Sequence, residues 1–442
     1  MINNSDIPDG YKATELGVFP QDWEIEKIDR IGGLIRGVSY KAADLGEKPR
    51  PGFLPVLRAM NIQTGRLDVF DDLVFVKQER ISEKQMLRDG DIVIAMSSGS
   101  KSVVGKSAQL HNNWEGSFGA FCACFRPCSD MIDKEFIGFL FQTNTYREYI
   151  EKLAAGTNIK NLTIPHILNY QIPLPPLPEQ HAIATTLRTV QEAKEKTEAV
   201  IAATKALKAA MMKHLFTYGP VPLEEADKVV LKETEIGPMP EGWKVKSLKE
   251  VSKIYSGGTP SKDKPEFWKG EIPWASPKDL KSLVLNDVTD HISEEGLTTG
   301  SRLVPENSIF IVIRGMILIR DVPVSLITRP MAFNQDMKAI CPNADTNPMY
   351  LLYALFQYRM NLSPFIGTSA HGTKRISTSA IEDFLIPIPP KKEQSLIVDM
   401  LNSVEKKLAA EQSKKEALDT LFNSLLHDLM TAKIRVAPAE VG

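Results

Sequence analysis

The chain repeats itself over a distance that no short structural unit spans. Glu15-Leu-Gly-Val-Phe-Pro-Gln-Asp-Trp23 returns 220 residues later as Glu235-Ile-Gly-Pro-Met-Pro-Glu-Gly-Trp243. Ile172-Pro-Leu-Pro-Pro176, followed by Glu179-Gln180, returns 214 residues later as Ile386-Pro-Ile-Pro-Pro390 with Glu393-Gln394. Between these anchors the match is weak, although Leu87–Ile94 and Leu303–Phe310 both read as a turn leading into a buried strand. So long a period marks a duplicated domain rather than a solenoid unit. At 442 residues the chain also exceeds the size at which one hydrophobic core stops growing.

Each proline cluster is followed by a stretch without Gly or Pro, from about Pro178 to Tyr218 and from about Lys392 to Arg435. Each is long enough for a helix of roughly 60 Å, and the first stops at Gly219-Pro220. A 4-3 spacing runs through both. In the first it takes Ile183, Leu187, Val190, Lys194, Thr197, Ile201, Thr204, Lys208, Met211 and Leu215. In the second it takes Ile397, Leu401, Val404, Leu408, Glu411, Lys415, Leu418, Phe422, Leu425 and Leu429. Two such stripes, apolar at their ends and partly polar in the middle, are expected to pack on each other as a coiled coil. The spacing suits parallel packing as well, which would set the modules side by side. Antiparallel packing is the arrangement expected, with the modules at opposite ends of a rod and an approximate two-fold axis between them. The prolines favour a stiff extended segment ahead of each helix.

The expected class is therefore α+β, with two similar α/β domains separated by two long helices. The boundaries are 1–177 for the first domain, 178–218 for its helix, 219–391 for the second domain, 392–436 for its helix, and 437–442 for a tail.

Several apparent signatures of chemistry dissolve on inspection. Gly99 to Ser107 resembles a phosphate-binding loop, but five residues separate its glycines where four are needed. Asn347-Pro-Met-Tyr350 is similar to the motif with which amino-methyltransferases hold a flipped base. Its third residue is wrong, no glycine-rich cofactor loop accompanies it, and it reads as a turn and helix start. Cys122, Cys124 and Cys128 lack a second ligand pair at metal spacing, and their alternation with Phe121 and Phe125 predicts a buried strand. The seven histidines are scattered, with no paired-histidine helix motif. No catalytic or metal-binding residue is expected.

Polar and basic residues cluster with glycines in corresponding loops of both repeats, in patterns that suit DNA. Arg and Asn can read base edges, while Lys, Ser and loop amides suit phosphates. The candidates in the first repeat are Arg36, Tyr40, Lys41, Arg58, Asn61, Ser98, Lys101, Lys106, Asn158 and Lys160. Those in the second are Ser256, Thr259, Ser261, Lys262, Lys278, Arg314, His371, Lys374 and Arg375. A formal net charge of −2 requires any DNA surface to be local. The longest apolar run, Ile309 to Ile319, is broken by Arg314 and too short to span a bilayer. The N-terminus shows no secretory pattern, so a cytoplasmic location without membrane attachment is expected.

These features together resemble the specificity subunits of type I restriction-modification systems. The resemblance rests on the duplicated Glu-x-Gly-x-x-Pro-x-x-Trp openings, the Gly-Gly-Thr-Pro-Ser loop from Gly257 to Ser261, the two proline joints with Glu-Gln, and the closing Leu425 to Val436 segment. It covers nearly the whole chain, with one departure at Ala432, where a Gly often stands. It implies a non-enzymatic subunit with two target-recognition domains, each reading half of a bipartite site in double-stranded DNA. It also implies helices that space the half-sites and dock two methyltransferase subunits, which restriction and translocase subunits join. S-adenosylmethionine, ATP and Mg²⁺ would belong to those partners and none to this chain. The alternative within the same class is a specificity protein of a methylation-only or decoy system.

Overall fold

A computed structural model describes residues 7–100, 102–155, 161–368 and 372–436. The expected tail, 437–442, lies outside them. The chain forms two compact units, Met1–Glu198 with Ser413–Gly442, and Ala199–Gln412. Each unit contains one repeat and a portion of both long helices, Leu177–Tyr218 and Lys391–Met430.

In the first unit, an antiparallel sheet runs in the order Ser107–Gln109, Ile92–Ala95, Cys122–Pro127, Gly32–Arg36. A second sheet has Ser117–Phe118 parallel to Phe53–Leu57, followed by Val74–Lys77 and Leu45–Gly46. The second unit repeats the plan. Its larger sheet orders Ser252–Ser256, Met337–Pro342, Ile309–Val312, Val324–Ile327 and Val284–Leu285, and its smaller one pairs Ile272–Ala275 in parallel with Met331–Phe333. Ile92–Ala95 and Ile309–Val312 are buried throughout, as unbroken apolar runs in central strands should be.

The repeated sequence motifs are the joints between sheet and helix. The proline segments are not free-standing extended spacers but edge strands. Gln171–Leu174 pairs antiparallel with Glu24–Lys27, and Leu385–Ile388 with Lys244–Ser247. An edge strand tolerates Pro because only one of its sides is hydrogen-bonded. The strand that each proline segment pairs with follows directly on the repeated Trp. Trp23 donates its indole N–H to Glu179 (3.0 Å) and Trp243 donates its own to Glu393 (2.8 Å), so the last residue of each opening motif grips the start of the helix. The adjacent glutamines do the same for the sheet-covering helices. Gln180 accepts from the Asp133 amide (2.9 Å) and donates to the Pro175 carbonyl. Gln394 accepts from the Asn347 amide (2.8 Å) and donates to the Pro389 carbonyl. Asp133 and Asn347 are in turn the N-caps of Lys134–Leu140 and Pro348–Tyr358. This is why Asn347 begins the apparent methyltransferase motif, whose Tyr350 is fully buried and donates to Pro387.

Within each unit the helix segments run antiparallel. Lys194 pairs with Asp419 (2.7 Å) and Glu198 with Lys415 (3.3 Å) in the first, while Lys208 pairs with Glu405 in the second. In all three pairs a rising number on one helix meets a falling number on the other. These ion pairs account for the lysines in the middle of the stripe. At its ends, Ile183, Leu187, Phe422 and Leu429 enter the core of the first unit beside Trp23 and Phe136. Leu215, Ile397 and Leu401 enter that of the second beside Trp243, Tyr350 and Tyr353. Every stripe residue is buried or half-buried, including Val190, Ile201, Val404 and Leu418. Met211 and Leu425 yield full burial to their neighbours Met212 and Leu426. A helix of 3.6 residues per turn drifts in this way against a strict 3.5 repeat.

The second helix stops at Met430, short of the expected 436. Ala432 has a positive φ of 55°. The Ala432 amide donates to the Leu429 carbonyl and the Lys433 amide to that of Asp428, which is a Schellman ending with Ala in the left-handed position where Gly is favoured. The turn sends Arg435 back to Glu179 (2.6 Å) and Asp22 (2.7 Å). Glu179 is only 3% exposed and so serves the indole of Trp23 and a guanidinium together. No helix among the described residues is long and apolar enough to cross a membrane.

Two tests of stability follow. Glu179→Gln keeps an acceptor for the indole but loses the charge opposite Arg435, and should cost about 2 kcal/mol, whereas Glu393→Gln should cost below about 1 kcal/mol; urea titration of the two variants compares them. Hydrogen bonds from Lys194, then Lys415, hold the Asp419 carboxyl below the usual carboxylate range. A lowered carboxyl stabilises the fold above its unfolded-state value and loses that effect as pH falls through the folded one. The difference in urea midpoint between wild type and Asp419→Asn should therefore be full at pH 7 and shrink as the pH drops below about 4.

Candidate nucleic-acid interface

Five segments of the first repeat meet at one edge of its sheets. After the strand Gly32–Arg36 the chain passes so close to the turn at Gly119 that a Cβ on Gly37 would lie 2.1 Å from the Gly119 carbonyl oxygen. Only glycine fits there. The Val38 amide then bonds Phe118 (2.8 Å), and the Gly119 amide bonds Leu57 (2.8 Å), which places Arg58 beside the turn. The carbonyl of Phe121 accepts from both Met96 (2.9 Å) and Ser97 (3.2 Å). Ser97 forms a bridge to Asn161, and the Leu162 amide donates to Met96. Tyr40, Arg58, Phe121 and Cys122 line a cavity of about 420 Å³ on this rim.

The second repeat shares most of this wiring. A Cβ on Gly257 would lie 2.3 Å from the Phe333 carbonyl oxygen, and the Gly258 amide bonds Phe333. Asn334 bonds Ala275, and the Asp336 carbonyl accepts from Ile313 (2.9 Å) and Arg314 (3.2 Å). Arg314 forms a bridge to Arg375, and the Ile376 amide donates to Ile313. The equivalent rim positions are thus Tyr40 and Pro260, Arg58 and Ser276, Ser97 and Arg314, Phe121 and Asp336, Asn161 and Arg375. Their offsets fall stepwise from 220 to 214, so the two unequal sequence offsets arise from residues lost in successive loops. The backbone frame is common and the side chains on it differ.

Most sequence-expected residues lie on or near these rims. In the first, Arg36 ends its strand exposed, and Lys41 follows Tyr40 exposed. Burial, opposed by the Arg58 charge, raises the Tyr40 phenol above its ordinary value. Arg58 donates to the Asp72 carbonyl (2.8 Å). Ser98 accepts from the Ser100 amide, and the Lys106 carbonyl accepts from Ala95 next to Met96. Asn61 is the exception. It is 2% exposed, accepting from the Arg58 amide and donating to the Asp71 carbonyl, so its amide shapes the loop and leaves no edge for a base.

In the second rim, Ser256 accepts from Lys338, whose ammonium is pushed down by burial. Thr259 bonds Gln335, and Ser261 accepts from the Asp263 amide. Lys262 is exposed. Arg314 lies 3.5 Å from Asp336, and Lys374 donates to Thr368 across the hairpin that carries Arg375. Lys278 leaves the rim to pair with Asp290 (2.7 Å). Lys101, Asn158, Lys160 and His371 lie outside the described residues.

Phe121, Gln335 and Asp336 escaped the sequence reading. The alternation of apolar residues predicts Phe121 to be buried, yet it is 69% exposed. It occupies a tight turn closed by the Cys122 amide on Gly119, one residue before the strand Cys122–Pro127 begins. The pair Gly119-Ala120 ahead of it was the available signal. Cys122 and Cys124 are buried as expected, the Cys122 thiol being pushed up to about 12 by burial. Among the described residues no group of side chains could hold a metal ion. The loop from Gly99 to Ser107 leads into a strand and not a helix, so its amides have no helix N-terminus to join in a phosphate cradle.

The sequence model of the family described as "Type I restriction modification DNA specificity domain" matches this chain twice, over residues 20–203 and 240–420. The chain belongs to that family. It is 44% identical over 183 residues to the type I restriction enzyme EcoKI specificity subunit of Escherichia coli (strain K12), a match covering 41% of this chain and 39% of that relative. It is 36% identical over 186 residues to the type I restriction enzyme EcoR124I/EcoR124II specificity subunit of Escherichia coli, covering 42% of this chain and 43% of the relative. The chain thus spans about two fifths of the length of these curated relatives. A putative type I restriction enzyme MjaX specificity subunit of Methanocaldococcus jannaschii is 25% identical over 440 residues, covering 97% of each chain. Among solved structures, the type I restriction-modification S subunit from M. genitalium superposes with a TM-score of 0.59 at 16% identity, covering 97% of this chain and 98% of that one. That likeness is one of fold.

For a member of a DNA specificity family, Lys262 is a candidate phosphate contact, being exposed and in no ion pair among the described residues. Lys262→Ala should weaken binding to any duplex alike. The slope of log affinity against log salt should fall by about 0.9, as measured by fluorescence anisotropy between roughly 50 and 200 mM salt.

Proposed function

We propose that this chain is the DNA-reading, non-catalytic specificity subunit of a type I restriction-modification complex. The observation that carries the reading is the pair of rims, built on one backbone frame with different side chains. Such a design suits two half-sites of different sequence, each read by one repeat. Direct readout needs donors and acceptors held in fixed positions at the base edges, and the shared main-chain bonds around Phe121 and Asp336 supply that fixity. A formal net charge of −2 is compatible with this because Arg58 stands on the first rim and Arg314 and Arg375 meet on the second.

In this proposal the bipartite target has an unread gap between its half-sites, and the length of the two helices sets it. Half-sites about one duplex turn apart, roughly 34 Å, suit helices of this length. Two methyltransferase subunits dock on the helices, restriction and translocase subunits join them, and S-adenosylmethionine, ATP and Mg²⁺ are bound by those partners. Base flipping and methyl transfer are likewise theirs.

Methylome sequencing of a host expressing the chain with methyltransferase subunits should reveal one interrupted motif with two fixed ends. Inserting one helical turn at facing levels of both helices should lengthen the gap and leave both ends unchanged. A gap that stays constant would remove the spacer role, and an uninterrupted motif would remove the bipartite reading.

A further inference from the structure

We propose that Phe121 determines specificity in the first repeat by pressing its ring on the C5-methyl group of a thymine in the major groove. This rests on the DNA-reading function proposed above and names one of its contacts.

Three observations converge on it. Phe121 is 69% exposed, whereas Phe118 and Phe125 on either side are fully buried. Its backbone is nevertheless pinned, because the turn is closed by Cys122 on Gly119 and the Phe121 carbonyl takes two amides, from Met96 and Ser97. A ring held out on so rigid a mount is presented for contact. The frame itself does not require it, since Asp336 occupies the same place in the second repeat with the same two amides on its carbonyl. There the carboxylate lies beside Arg314. An aromatic ring at one position and a carboxylate at its equivalent mark a place where the two repeats differ in what they read.

The chemistry of the rim narrows the ligand. Phe121 shares a cavity with Tyr40 and Arg58, so the ring faces the ligand alongside a phenol and a guanidinium suited to phosphates and base edges. A phenyl ring gains from burial only against an apolar surface, and on the edges of paired bases the apolar group is the thymine methyl.

The test is a cycle of two changes in the complex assembled on the full chain with its methyltransferase subunits. Each thymine of the first half-site is replaced in turn by uracil, which lacks only the methyl, and each duplex is titrated with wild type and Phe121→Ala. Wild type should lose about four- to tenfold in affinity at one thymine, as expected for removal of one buried methyl. Phe121→Ala should lose a similar factor on the thymine duplex and show no further loss with uracil. Phe121→Leu, which keeps apolar bulk, should retain most of the discrimination. All variants should melt with wild type, because the ring is largely exposed. The proposal is overturned by a half-site without thymine, by equal uracil effects in wild type and Phe121→Ala, or by loss in the variant that no uracil reproduces. If wild type binds its interrupted site selectively while the cycle shows no coupling, this contact falls and the DNA-reading function stands. If wild type selects no sequence, both fall.

Discussion

A glutamate and the buried glutamine beside it organise each half of this chain. Glu179 and Gln180, like Glu393 and Gln394, sit where an edge strand becomes a long helix, and each pair satisfies groups from distant segments. The glutamate takes the indole N–H of a tryptophan 156 or 150 residues away. The glutamine takes the first amide of the cap that starts the sheet-covering helix. Leaving any of these polar groups unpaired would cost the desolvation of a buried donor or acceptor. The joint therefore fixes helix, edge strand and covering helix in one arrangement, and the sheet with its rim is carried by them.

That dependence explains what could be read from the sequence. The motifs legible without coordinates were those of the joint: Trp23 and Trp243, the proline strands, Glu-Gln, and the helical stripe from Ile183 to Leu215 and from Ile397 to Leu429. Each obeys a local rule or repeats almost letter for letter, because both copies solve the same packing problem. The antiparallel sense became visible only through specific ion pairs such as Lys194 with Asp419 and Lys208 with Glu405. A heptad pattern carries no direction of its own.

The rims were legible only in outline. Glycine-rich and basic loops are visible in the sequence, but which loops meet is decided by long-range main-chain bonds, such as Gly119 to Leu57 and Met96 to Phe121, that leave no periodic trace. Asn61 looks like a base reader by residue type and is a buried loop brace. Phe121 looks like core by alternation and is exposed, because the strand begins one residue later than the apolar pattern suggests. Ala432 stands where a Gly is common, and its positive φ shows where the left-handed position falls.

The hydrogen bonds from Arg435 to Glu179 and Asp22 have a consequence for how the molecule is made. The second unit, Ala199–Gln412, is a single uninterrupted piece of chain, whereas the first draws Phe422, Leu426 and Leu429, from beyond that piece, into its core. The inner unit draws its described core residues from that piece alone and needs no flanking segment to close. The first repeat, though synthesised earliest, waits with the apolar faces around Leu187 and Phe139 uncovered until Phe422, Leu426 and Leu429 emerge. The part made first is thus finished last, and a chain cut short before Phe422 would keep the second repeat whole and leave the first open.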